Sequence, residues 1–169
     1  MEPISSALCF GGRQLQFRHE STACACPMTF SVYLPPQADR RPVPVVWWLS
    51  GLTCTDQNFV TKAGAQRYAS ELGLAIVVPD TSPRGDDVPS DPDGSWDFGL
   101  GAGFWVDATE APWARHYQMY RYVTEELPRL VFSALPLDPE RQSISGHSMG
   151  GHGAMVAALK NPGRFRSVS

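Results

Sequence analysis

Arg141-Gln142-Ser143-Ile144-Ser145-Gly146-His147-Ser148-Met149-Gly150-Gly151-His152-Gly153 is the stretch that decides the fold. Residues 141–145 read as a short strand. Met149 to Lys160 reads as an Ala-rich helix, ended by Asn161-Pro162-Gly163. Gly146-His147-Ser148-Met149-Gly150, a G-x-S-x-G pattern, sits where the strand runs into the helix. A sharp turn there holds Ser148 in a strained backbone geometry and pushes its hydroxyl out above a sheet. Small residues at 146 and 150 let the neighbouring backbone pass close by. The helix N-terminus adds free N–H groups and a positive field beside the nucleophile. A Gly-rich turn with a chance serine spells the same five letters. The strand before it and the helix after it separate a nucleophile from that alternative.

Upstream, Arg13 to His19 alternates Leu15 and Phe17 with polar neighbours, and Met28 to Leu34 alternates Met28, Phe30, Val32 and Leu34. Both read as half-buried strands of an antiparallel pair. Val45-Val46-Trp47-Trp48-Leu49 is apolar on both faces, as a central buried strand is. Asn58 to Leu72 reads as one helix, with Gly64 a weak point and Gly73 a helix stop. Leu74 to Val78 is a second buried strand. Residues 79–113, dense in Gly, Pro, Asp and aromatics, form a long loop of a length that usually signals function. Tyr117 to Leu127 reads as a helix stopped by Pro128, and Ser167-Val168-Ser169 as the start of a further strand. This alternation predicts a mostly parallel sheet with helices on both faces, as one domain over residues 1–169.

The chain has 169 residues, enough to bury a core. Its formal charge of −3 offers no basic surface for nucleic acid or an anionic membrane. The longest apolar runs are too short to span a bilayer, and Met1 to Ser6 does not resemble a signal peptide. With 15 Gly and 15 Pro, the chain is not an all-helical bundle. Cys9, Cys24, Cys26 and Cys54 are too few and too unevenly spaced for a disulfide scaffold, which fits a reducing compartment. Cys24 and Cys26 lack two further ligands at metal-binding spacing. Asp97-Phe98-Gly99 has no kinase motif around it, and Gly99, Gly101 and Gly103 open no helix after a strand, so phosphate and dinucleotide readings fall away.

A serine nucleophile of this kind needs two backbone amides aimed at the oxyanion, one from the residue after it and one from the loop after the central strand. Met149 and Leu52, in Leu49-Ser50-Gly51-Leu52-Thr53-Cys54, are the candidates. Together with Pro79-Asp80-Thr81-Ser82-Pro83-Arg84-Gly85, Trp96-Asp97-Phe98-Gly99, Gly101-Ala102-Gly103-Phe104, Val106-Asp107-Ala108-Thr109 and the elbow itself, these strings resemble the S-formylglutathione hydrolase (esterase D) family of α/β-hydrolases. The resemblance runs from about the first strand to Ser169. It implies an α/β-hydrolase fold and hydrolysis of the thioester S-formylglutathione to glutathione and formate, a step of formaldehyde detoxification. It also implies a cytoplasmic enzyme without metal or cofactor, often a homodimer, whose partner is a small glutathione thioester. Cys54 would be a thiol beside the site, or simply a small buried hydrophobe. Trp96 belongs to a cluster with Phe98, Phe104, Trp105 and Trp113 that reads mostly as core or loop packing, with a part of it available to wall a small acyl pocket. Lys62 and Arg84 are the cations available to the carboxylates of glutathione, with neither assigned.

The triad order of this fold is Ser, then Asp or Glu, then His. After Ser148 the chain holds 21 residues (169 − 148), no Asp or Glu among them, and one histidine, His152, about a helical turn away on the same helix. The family's acid and base therefore have no counterpart here, and the sheet is expected to be incomplete at its C-terminal side, with an open edge. Losing the base of such a triad costs about 10⁶ in turnover. Two alternatives stand beside the thioesterase reading: a broader carboxylesterase or acyltransferase on the same fold, and a catalytically incomplete fragment.

Overall fold

The computed structural model describes residues 1–169 and builds them around one seven-stranded sheet. The chain opens with a meander: β1 (Glu2–Cys9), β2 (Gly12–Ser21) and β3 (Cys26–Leu34), paired antiparallel. The expected β2–β3 pair is present, with Phe17 opposite Phe30 and their rings stacked at 5.4 Å. β1 was not legible in the sequence. Its residues are almost all exposed and lack an apolar alternation. The hairpin that makes it a strand turns on Phe10 and Gly11, both at positive φ (48° and 75°), a two-residue turn usually announced by Asn-Gly.

β4 (Val43–Leu49), β5 (Ala75–Pro79), β6 (Leu137–Gly146) and β7 (Phe165–Val168) complete the sheet, in the order β1-β2-β3-β5-β4-β6-β7. β3 pairs antiparallel with β5, and from β5 onward every pair is parallel. Five of the seven strands, β2, β5, β4, β6 and β7, therefore run the same way. β4 and β6 are neighbours in register, with Leu49 opposite Gly146. Two loops far apart in sequence thus leave the same edge of the sheet side by side, the edge where sheets of this kind place their ligands.

The helices differ from expectation in two places. The helix expected over 58–72 is two: α1 (Asp56–Lys62) and α2 (Ala65–Leu72). Gly64 breaks it by adopting φ 64°, and Gly73 caps α2 at φ 68° as anticipated. Pro128 does not stop the next helix. α3 (Met119–Arg121) passes through a π-helical turn (Tyr122–Glu126) into α4 (Leu127–Ala134). The proline has no N–H to give the Thr124 carbonyl, and Arg164 Nη1 fills that place at 2.5 Å. α5 (Met149–Lys160) matches its expected limits.

The alternation in β4 divides the core. Val43, Val45, Trp47 and Leu49 face the larger cluster, where Leu127 and Val131 of α4 and Met149, Ala154 and Ala157 of α5 pack. Trp48 faces a smaller cluster of Tyr33, Ala69, Ile76 and Val78 under α1 and α2. Beyond α2 this second face lies open as an apolar groove of about 750 Å³, and β7 forms the sheet edge. Residues 80–112 carry no helix or strand, as expected, but they are pinned by hydrogen bonds such as Gly103 N–H to Thr81 O (3.2 Å) and Tyr117 Oη–H to Pro89 O (2.7 Å).

Candidate active site

Ser148 is the hinge between β6 and α5. It stands at φ 56° and ψ −121°, a conformation that costs a non-glycine residue of order 1–3 kcal/mol and survives only where its surroundings enforce it. The enforcement is steric. A Cβ on Gly150 would run into the carbonyl of Leu49, and one on Gly146 into the carbonyl of Gly150. The turn is therefore packed against the end of β4 as tightly as backbone allows. His147 N–H donates to Leu49 O at 3.1 Å and Gly150 N–H to His147 O at 2.9 Å, which closes it. The Ser148 side chain is solvent-exposed and its hydroxyl makes no side-chain hydrogen bond.

The loop after β4 lies against this turn. A Cβ on Gly51 would meet His147 O at 3.2 Å and Ser148 Cβ at 3.3 Å, so residue 51 touches the elbow directly. The amide of Leu52 donates to no acceptor within the chain, and neither does that of Met149, at the start of α5. The next amides are committed: Thr53 N–H to Gly101 O (2.9 Å) and Cys54 N–H to Gly51 O (3.4 Å). Two unspent donors thus flank an exposed serine. Amides left free in this way are what an oxyanion-binding site requires.

The remaining candidates are distributed unevenly. Cys54 is half-buried and lines a small groove of about 190 Å³ with Trp48, Ser50, Gly51, Phe59 and His147. His147 is exposed on that groove. Trp96 is 65% exposed in the long loop and does not line it. The tryptophan beneath the elbow is Trp105, 1% exposed, whose indole N–H donates to Ser50 O at 3.3 Å and whose ring fills the space beside Gly153. Trp105 and Phe104 both adopt positive φ (56° and 49°), a strain that neither residue type announces in sequence. His152 is exposed on α5, and its amide donates to Ser148 O. Lys62 is exposed at the mouth of the groove, whereas Arg84 is turned inward onto Asp80.

Away from the site, Cys24 is fully buried, and burial pushes its thiol up to about 12. Burial also lowers His19, which stacks on Tyr122 at 5.7 Å and meets the tyrosine hydroxyl at 3.1 Å. Burial pushes Glu126 upward, but amide donations from Ala23 and Thr22 and the Ser21 hydroxyl outweigh it and hold the carboxyl below its usual range. Among all residues, no group of three or more His, Cys, Asp or Glu side chains is arranged to hold a metal ion. No helix is long and apolar enough to cross a membrane.

A strained, exposed serine between a parallel strand and a helix, with an unspent amide at the start of that helix and another in the loop after β4, has the form of the strand–turn–helix elbow of the α/β-hydrolase fold. The Esterase family model matches residues 21–169, and the chain belongs to that family. The S-formylglutathione hydrolase of Mus musculus is 59% identical over all 169 residues, and that of Paracoccus denitrificans 58% identical over 168. An S-formylglutathione hydrolase structure from Agrobacterium tumefaciens superposes with a TM-score of 0.98 at 58% identity, over 99% of this chain and 60% of that one. The fluorophosphonate-binding serine hydrolase FphF of Staphylococcus aureus shares the fold, with a TM-score of 0.73 at 21% identity. The chain spans about 60% of the length of the curated relatives it matches.

Proposed function

We propose that this chain carries the nucleophile and oxyanion-binding half of a thioester hydrolase acting on S-formylglutathione. Ser148 Oγ attacks the formyl carbonyl, forming a C–O bond while its proton passes to a base. The amides of Leu52 and Met149 hold the resulting oxyanion. The tetrahedral adduct collapses with loss of glutathione as the thiol, and water then releases formate from the formyl-serine. The observation that carries this reading is the strained, exposed geometry of Ser148 beside two uncommitted amides. The substrate class rests on relatives of 57–59% identity that bear this activity's name. One α/β-hydrolase domain over residues 1–169, a cytoplasmic location, a role in formaldehyde detoxification and a homodimeric state belong to the same proposal.

The base and acid are assigned to sequence that the longer relatives possess and residues 149–169 do not. His152 is an unsuitable base because it sits on the elbow's own helix and its ring makes no hydrogen bond to Ser148. The chain alone should then turn over slowly, at roughly 10³–10⁴ over water from the oxyanion donors and binding. The test is a fluorophosphonate reaction followed by peptide mass spectrometry, with S-formylglutathione and short aryl esters compared as substrates. An adduct on Ser148, and loss of residual thioester turnover in Ser148→Ala, are expected. Turnover retained by Ser148→Ala refutes the nucleophile. Preference for aryl esters favours a broader carboxylesterase.

A further inference from the structure

We infer that Arg84 is a positioning residue for the Leu52 amide, acting through the carbonyl of Cys54. The inference rests on the oxyanion role proposed above for Leu52. Arg84 is partly exposed, but its guanidinium is committed to partners within the chain. Its Nε donates to both oxygens of Asp80, at 3.1 and 3.0 Å, and its Nη2 donates to Cys54 O at 3.2 Å. The hydroxyl of Thr81 donates to the same carbonyl. Asp80 is nearly inaccessible, and its Oδ1 accepts the amide of Thr81 at 2.7 Å, which fixes the carboxylate that fixes the guanidinium.

The opposite side of the turn is held as firmly. Thr53 N–H donates to Gly101 O, and Gly101 N–H donates to the Ser82 hydroxyl at 2.8 Å. Thr53 and Cys54 are thus clamped between residues 81–84 and residue 101. They need clamping, because Thr53 is β-branched and stands at φ 65°, where such a side chain is strained. Leu52 immediately precedes it, so a shift of the Thr53–Cys54 segment would carry the Leu52 backbone with it. The fork of the guanidinium lets one side chain grip a carboxylate and a carbonyl together, which a lysine ammonium of similar length does poorly.

The test is amide hydrogen exchange of the full chain, wild type against Arg84→Ala and Arg84→Lys, with and without added guanidinium. In Arg84→Ala the amides of Thr53 and Cys54 should exchange about tenfold faster, the loss expected for one hydrogen bond from a charged donor. Amides of β4 and β6 should be unchanged, Arg84→Lys should rescue poorly, and about 50 mM guanidinium should restore protection. Unchanged exchange at 53–54, or faster exchange across the whole sheet without guanidinium rescue, overturns the inference. The fluorophosphonate rate at Ser148 adds a second reading: it should fall by about tenfold in Arg84→Ala and recover with guanidinium. A loosened turn with an unaltered labelling rate overturns the positioning role. A wild-type chain that takes no label defeats the nucleophile instead, and the exchange arm then decides the brace by itself.

Discussion

Asp56, the first residue of α1, is 2% exposed and has no cationic partner, yet its substitution to Asn should be mild and to Ala severe. The hydrogen bonds explain the difference. Oδ2 alone accepts from Ser31 Oγ at 2.6 Å, Gln57 Nε2 at 2.7 Å and Gln16 Nε2 at 2.9 Å, while Oδ1 meets only Thr29 Oγ1, at 3.5 Å. An Asn can leave its carbonyl oxygen where Oδ2 is and turn its amide toward Thr29, whose hydroxyl can accept. It loses the charge but strands no donor, a cost of about 1 kcal/mol. An Ala leaves the three donors without this acceptor. Gln57 retains Ser31 Oγ at 2.7 Å and half-buried Gln16 can reach water, so the loss concentrates on fully buried Ser31 and on the anchoring of α1. The expected total is about 3 kcal/mol. Urea unfolding measures it: the midpoint should shift about three times further for Ala than for Asn, at constant slope. Equal shifts would show that the charge, rather than the geometry of acceptance, holds α1 to β3.

Two further outcomes follow from buried titratable groups. Burial lowers His19 below its ordinary 6.5, so its neutral form is the native one. The stability this contributes is present above pH 6.5 and is lost as pH falls through the depressed folded value. The His19 ring protons should titrate below 6.5 by NMR, and His19→Gln should flatten the urea midpoint between pH 7 and 5; a titration above 6.5 contradicts the burial argument. The four thiols should divide into two pairs: a disulfide reagent should modify half-buried Cys9 and Cys54 in the native state, and buried Cys24 and Cys26 only on adding denaturant. Rapid modification of Cys24, whose thiol burial raises to about 12, contradicts its placement.

Local patterns in this chain predict elements whose neighbours agree with them. The five-residue run Val45–Leu49, the alternation of Met28 to Leu34, the helix from Met149 and the G-x-S-x-G turn each appear in the structure near their expected limits. Elements that depend on distant partners do not show in such patterns. β1 becomes a strand because β2 offers an edge, through a Phe-Gly turn without a usual turn signature. Pro128 lies within a helix because a π-helical turn precedes it and Arg164, 36 residues on, takes the carbonyl it leaves unpaired.

The same division runs through the site. The glycines at 146 and 150 around Ser148 mark a tight strand-to-helix turn by themselves, since a side chain at 150 would strike the carbonyl of Leu49 and one at 146 the carbonyl of Gly150. That Leu52 stands beside it, that Trp105 rather than Trp96 lies underneath, and that Arg84 grips the turn from behind are matters of three-dimensional placement. Parallel pairing of β4 with β6 brings residue 49 to residue 146 across nearly a hundred positions of chain, and no short-range periodicity encodes which strands become neighbours. Sequence determined the chemistry available at each position because backbone sterics act locally; the sheet's strand order determined which of those chemistries meet, because pairing is a long-range choice made by the whole buried core.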